Sequence, residues 1–259
     1  MKYGGKLVHR VKDDYGPIEV VETHGVRSLH FGSAARQSAL DLSAPDRIEL
    51  TYLRSMLAGL LFIPEPSRIL LLGLGGGTLA RFFSQNYSGS HMVIVELRQA
   101  VIDVAKSHFE FAPLPQTLIE VMDANAYLRS MALCPNPPAF EFLAVDIFDG
   151  EGPSVLLEDL EFFKRLSGAL AYEGVLVINL WCGDVALWRS VLEMLRDVFG
   201  GYLGSLSVPG RGNRIFFVQG AGRKRLPRRH LSERARNLEN RFGFEFLRML
   251  DRMEFTNPA

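Results

Sequence analysis

The chain has 259 residues, 47% of them hydrophobic and 22% charged, which is enough to bury a sizeable core, and its 29 Lys plus Arg balance its 29 Asp plus Glu. Such neutrality excludes a global field that would draw the protein to nucleic acid or to a membrane surface, so partner choice rests on local sites. Two cysteines, Cys134 and Cys182, exclude a disulfide framework and follow no metal-ligand spacing; they read as small apolar fillers in a reducing compartment.

The N-terminal Met1-Lys2-Tyr3-Gly4-Gly5 lacks the apolar core of a signal peptide. The longest apolar run, residues 55–63, falls short of a membrane span. A cytoplasmic protein with no membrane partner is therefore expected. Residues 6–32 alternate as strands do: Leu7 to Val11, then Ile18-Glu19-Val20-Val21-Glu22, a His24-Gly25 turn and Val26 to Phe31. Three strands are marginal alone, so this small β domain, residues 1–45, should pack on the larger part of the chain or on a second subunit, and a homodimer is expected. Residues 33–45 read as a polar, irregular connection.

A second domain, residues 46–259, begins with a helical pattern in which Ile48, Tyr52, Met56, Leu57, Leu60 and Leu61 recur, ended by Pro64 and Pro66. Ile69-Leu70-Leu71-Leu72 then reads as a strand buried on both faces, followed by the turn Gly73-Leu74-Gly75-Gly76-Gly77 and a helix through Leu79, Phe82 and Phe83. Glycine lets such a turn bend tightly and lets the backbone approach a ribose or phosphate, which makes Gly73, Gly75 and Gly77 candidate nucleoside contacts. No Lys-Ser or Lys-Thr closes the run, which argues against a triphosphate loop.

The strand 91–96 ends in Glu96, near the ~20-residue offset at which a carboxylate meets ribose hydroxyls. A helix over 99–108, a strand over 118–123 ending in Asp123, a short helix from Ala124, a proline-rich loop and a strand over 140–145 follow. That strand closes on Asp146-Ile147-Phe148-Asp149-Gly150-Glu151-Gly152-Pro153. Beyond it come a helix over 158–170, a strand over 175–180, a helix over 188–199, an antiparallel pair (202–208 with 214–219) and a helix over 232–242. Alternating strands and helices predict an α/β doubly wound, mostly parallel sheet. The one basic cluster, residues 223–230, reads as a solvated loop, so nucleic acid is not expected.

In such a sheet, ligands bind beyond the carboxyl ends of the strands. Glu96, Asp123, Asp146 and Asp149 all fall there, and four mutually repelling acids suit a cationic or hydroxyl-rich ligand. Glu96 suits a ribose diol and Asp123 with Ala124 an adenine amine. No histidine lies near Asp146 and Asp149, so no metal is expected.

From about Tyr15 to Leu180 the chain resembles the spermidine synthase family, the aminopropyltransferases related to Rossmann-like S-adenosylmethionine-dependent methyltransferases. The resemblance lies in Phe31-Gly32 followed by Gln37, Tyr52 on a helix, the glycine turn, Val95-Glu96, Asp123-Ala124 and Asp146-x-x-Asp149 with Pro153. It implies transfer of an aminopropyl group from decarboxylated S-adenosylmethionine to a diamine, with release of methylthioadenosine. By the same resemblance, Glu96 holds the ribose, Asp123 and Ala124 the adenine, and Pro153 lines the nucleoside site. Asp146 is the general base, Asp149 anchors the amine, and Tyr52 and Gln37 are substrate contacts.

Departures mark the acceptor half. Gly75 stands where family members usually carry an Asp that grips the far amine, Leu53 where they often have His or Gln, Arg54 where an acid is usual, and Gly16 in place of a nucleoside-contacting Gln. Two other readings follow from these changes. One is an S-adenosylmethionine-dependent methyltransferase, or another transferase, with a non-polyamine acceptor; the second is a non-catalytic binder of adenosyl ligands.

Overall fold

A computed structural model describes residues 3–149, 152–183, 185–200, 204–210, 212–220, 222 and 226–256. The chain opens with β1 (Lys6–Asp13), β2 (Gly16–Thr23), β3 (Val26–His30) and β4 (Ser38–Asp41), an antiparallel sheet in that order. The fourth strand corrects the irregular connection expected over 33–45: Ala39 pairs with Ser28 and Leu40 with Arg27, and Ala39 and Leu40 are buried. Ile18, Val20, Leu29 and Leu40 pack with Val101, Val104 and Phe109. The apolar face of this small sheet is thus covered from within the same chain.

The main sheet follows through α1 (Thr51–Met56), a 3-10 turn (Leu57–Leu61), β5 (Arg68–Leu72), α2 (Thr78–Asn86), β6 (His91–Glu96), α3 (Gln99–His108), β7 (Thr117–Val121), α4 (Ala124–Ala132) and β8 (Phe140–Val145). A two-stranded ribbon, β9 (Phe148–Asp149) with β10 (Gly152–Pro153), precedes α5 (Leu160–Ala169), β11 (Leu170–Trp181), α6 (Val185–Phe199), β12 (Gly204–Ser207), β13 (Asn213–Gln219), α7 (Arg228–Phe242), α8 (Phe246–Arg252) and β14 (Glu254–Phe255). The eight strands lie in the order β7-β6-β5-β8-β11-β13-β12-β14. The β5, β6, β7, β8 and β11 pairings are parallel, whereas β13 runs antiparallel to both β11 and β12.

The four apolar residues of β5 divide between the two faces of the sheet. Ile69 and Leu71 join one core cluster, with the α1 and α2 side chains Met56, Phe82 and Phe83, and Leu70 and Leu72 join the other, with Leu128 of α4 and Phe162 of α5. A strand covered by helices on both sides must be apolar at every position, which is why its alternation vanishes.

The helix expected from residue 46 starts only at Thr51, because Ile48 bridges back to Leu40. The helix expected over 232–242 begins at Arg228: Pro227 precedes its first turn, and Arg228 pairs with Asp251 across to α8. Arg223, Lys224 and Arg225 of the basic cluster lie outside the described residues. Cys134 is exposed, so it fills no core, whereas Cys182 is half-buried and packs against the core cluster beneath β11. Among the described residues no helix is long and apolar enough to cross a membrane, and no group of three His, Cys, Asp or Glu side chains forms a metal-ion site.

Candidate active site

The chain leaves β5 towards β6 on one side and returns to β8 on the other, so β5 and β8 flank the point where strand order reverses. A cavity of about 240 Å³ opens at that point. It is lined by Gly73, Gly75 and Thr78 of the glycine turn, by Glu96, Asp123, Ala124 and Asp146 from three strand ends, and by Tyr52 of α1. Tyr15, Phe31, Gln37 and Ser38 from the small sheet complete the wall. Three carboxylates far apart in sequence therefore meet in one cavity.

Each carboxylate is held by a local device. Glu96 accepts hydrogen bonds from the Leu74 amide at Oε2 (3.0 Å) and from the Arg98 amide at Oε1 (3.1 Å), and it is 8% exposed. Burial raises its pKa, opposed by those amides and the Arg98 charge. Each oxygen keeps a lone pair for a donor in the cavity. Asp123 is the N-cap of α4, its Oδ1 accepting from the Ala126 amide at 2.9 Å, which leaves Oδ2 for an external donor.

Asp146 sits one residue beyond β8, its amide bonded to the Leu72 carbonyl at 2.9 Å. Its Oδ1 accepts from Asn179 Nδ2 at 2.8 Å, and the Tyr52 hydroxyl stands 3.3 Å from Oδ2. Burial pushes the Asp146 pKa up to about 6, with Asn179 and Tyr52 pulling the other way. Half-buried, with its open side on the cavity, this carboxyl is poised to take up a proton near neutral pH.

Asn179 escaped the sequence reading. It is 1% exposed in β11, and its Oδ1 accepts from Asn213 Nδ2 at 3.0 Å, so an Asn-Asn-Asp chain fixes the carboxylate from behind. Its one signal in sequence is an amide inside the apolar run Val175 to Leu180. Arg98 escaped as well. Its guanidinium pairs with Asp13 at 2.7 Å, donates to the Gly16 carbonyl at 2.8 Å and lies 4.8 Å over the Phe31 ring. That side chain ties the small sheet to the start of α3 at the cavity wall. Gly16, where a nucleoside-contacting Gln was expected, gives its carbonyl to this anchor.

The glycines differ in what they do. Gly73 has φ +97°, and a Cβ there would lie 2.3 Å from the Asp146 carbonyl oxygen. Gly75 has φ +56° and open space, its nearest neighbour being the Gln37 carbonyl at 3.6 Å. Gly77 does not line the cavity; it precedes α2, and a Cβ would meet Phe111 at 2.9 Å. Gln37 lines the cavity, and its carbonyl lies 3.4 Å from the Tyr52 hydroxyl. The backbones of Asp149 and Pro153 belong to the β9-β10 ribbon, and their side chains lie outside the described residues. Leu53 lines the cavity, whereas Arg54 turns away into a different one.

No family model matches the chain. It is 33% identical to a polyamine aminopropyltransferase of Chromobacterium violaceum, over 93% of this chain and 90% of that one. An eEF1A lysine and N-terminal methyltransferase of Xenopus laevis is 28% identical over 83% of this chain, a stretch covering 34% of the larger protein. Among solved structures, a probable spermidine synthase from Corynebacterium glutamicum ATCC 13032 matches with a TM-score of 0.74 at 23% identity, covering 90% of this chain and 88% of that one. Human methyltransferase-like protein 13 in complex with SAH matches with a TM-score of 0.69 at 26% identity, covering 75% of this chain and 93% of that one. The fold is thus the Rossmann-like one that spermidine synthases share with S-adenosylmethionine-dependent methyltransferases.

Proposed function

The chain belongs to the polyamine aminopropyltransferase family, and from that premise we propose that it moves an aminopropyl group from decarboxylated S-adenosylmethionine to an amine of a di- or polyamine, releasing methylthioadenosine. The observation that carries the reading is Asp146, held by Asn179 and Tyr52 beside the glycine turn with its pKa near the working range. Glu96 takes the ribose hydroxyls and Asp123 with Ala124 the adenine edge, which sets the sulfonium near the end of β5. The attacking nitrogen forms a bond to the carbon next to sulfur, the carbon–sulfur pair leaves on the thioether, and Asp146 removes the proton the new amine must lose. A protonated amine has no lone pair, so a carboxylate at this place serves the chemistry directly. Holding both reactants in one cavity supplies much of the remaining rate.

Incubating the protein with either donor and a panel of amines tests this. Methylthioadenosine formed with the decarboxylated donor and putrescine is the expected product. S-adenosylhomocysteine formed from the carboxylated donor would replace the reading by methyl transfer. Binding of either nucleoside with no product from any amine would leave a binder. Methyl transfer is the second reading because Gly75 removes the carboxylate that family members use for the far amine, and a related human methyltransferase of this fold is known with SAH.

The same position gives a sharper prediction. At φ +56°, Gly75 occupies the left-handed region that Asp tolerates better than most residues, and a Cβ there meets nothing closer than 3.6 Å. Gly75→Asp should fold and should lower the KM for putrescine about tenfold, the worth of one charge-assisted hydrogen bond at roughly 1.5 kcal/mol, while a monoamine of equal length gains little. An equal change for both amines would show that the far amine does not lie at this end of the cavity.

A further inference from the structure

Helix α1 separates two cavities. Tyr52 and Leu53 line the one described above, and Thr51, Arg54 and Ser55 line a second, also of about 240 Å³, on the other side. Its far wall comes from β12 and from the turn between α7 and α8, including Leu206, Phe244 and Met249, with Arg248 and Arg252 from α8. Three arginines and one glutamate, Glu245, thus line a space with an apolar wall.

The arginines differ in how they are held. Arg54 Nε is buried and has no hydrogen-bond partner among the described residues. Among the described residues Arg252 donates to the Ser207 carbonyl at 3.3 Å. Arg248 pairs with Glu245 at 3.1 Å, but both side chains are 67% exposed, so that pair contributes little and opposes a competing anion weakly. Ser207 Oγ accepts from Arg214, which leaves its own O–H to donate. Three cationic side chains around one cavity, one of them carrying a buried nitrogen that no described residue satisfies, together with a hydroxyl able to donate, make a site suited to an acceptor-rich ligand.

We propose that this second cavity is a ligand site for an oxyanion carried on a small apolar body, a phosphate monoester being the simplest case. Its oxygens take Arg54, Arg248 and Arg252, and its body lies against Phe244, Leu206 and Met249. Neither the transfer reaction nor the nucleoside contacts use any of these residues.

Phenyl phosphate is a probe whose body is unlike adenosine. Titrated calorimetrically into the wild-type protein, it is expected to bind and to bind more tightly than inorganic phosphate, while phenol gives no heat. Arg54→Ala and Arg248→Ala should each weaken it at least tenfold, with melting temperatures near wild type because neither guanidinium anchors the fold. Saturating methylthioadenosine should leave its affinity unchanged. No heat with phenyl phosphate, equal affinity in wild type and both variants, displacement by methylthioadenosine, or a preference for bare phosphate would each overturn the proposal.

Discussion

Asp146→Asn is expected to lower kcat by about 10²- to 10⁴-fold while methylthioadenosine still binds, because it removes the proton acceptor and leaves Glu96 and Asp123 in place. Asn keeps the shape and can still accept from Asn179 at Oδ1, so the loss would report on the proton rather than on a collapsed site. In the wild type, a pKa near 6 makes kcat rise as pH climbs through that value, once the carboxyl is ionised. Stability should move the opposite way. The folded pKa lies above the ordinary 3.8, so the favourable contribution of this carboxyl is complete below about pH 4 and is lost as pH rises through about 6. At pH 8 the ionised side chain costs at most about 3 kcal/mol, less to the extent that cavity water screens it. Asp146→Asn should therefore melt higher than wild type at pH 8, by up to ~10 °C, and the advantage should shrink to nothing near pH 4. An inactive variant with no such pH-dependent gain would mean that the carboxyl is not strained by burial. Turnover at the wild-type rate would dismiss it as the base.

That a carboxylate stands at this spot could be read from residues alone, because β5, β8 and the glycine turn are written in short, contiguous patterns. Four apolar residues before a glycine bend need no tertiary information to be recognised. What holds the carboxylate could not be read in that way. Asn179 comes beside Asp146 only because Ile178 pairs with Val145 across two parallel strands, and that register joins segments separated by a helix and a ribbon. Arg98 was invisible for a similar reason: its partners Asp13 and Gly16 come from the small sheet. The strand β4 was missed because four residues with two small polar neighbours carry too little alternation, and its hydrogen bonds come from β3. Arg54 shows the opposite case. Residues two apart on a helix point about 200° from each other, so Arg54 could not share the face of Tyr52, and α1 does send them into different cavities.

Gly73→Ala is expected to be the most damaging single substitution in the glycine turn, although Gly73 and Gly75 look alike in sequence. Both have positive φ, so each pays the left-handed strain of roughly 1–2 kcal/mol when a Cβ is added. Only at Gly73 would that Cβ fall 2.3 Å from a backbone atom, the Asp146 carbonyl oxygen, which cannot swing aside as a flexible side chain could. The turn after β5 would have to move away from the end of β8. That movement breaks the alignment in which the Gly73 amide bonds the Val95 carbonyl at 2.8 Å and the Asp146 amide bonds Leu72 at 2.9 Å. Urea unfolding should show Gly73→Ala losing more than about 3 kcal/mol, against about 1–2 kcal/mol for Gly75→Ala. Where Gly73→Ala still folds, transfer should fall with it, because the displaced backbone is that of the proposed base. Equal losses for the two variants would mean that strain at positive φ accounts for both glycines and that the close approach of the turn to Asp146 contributes nothing.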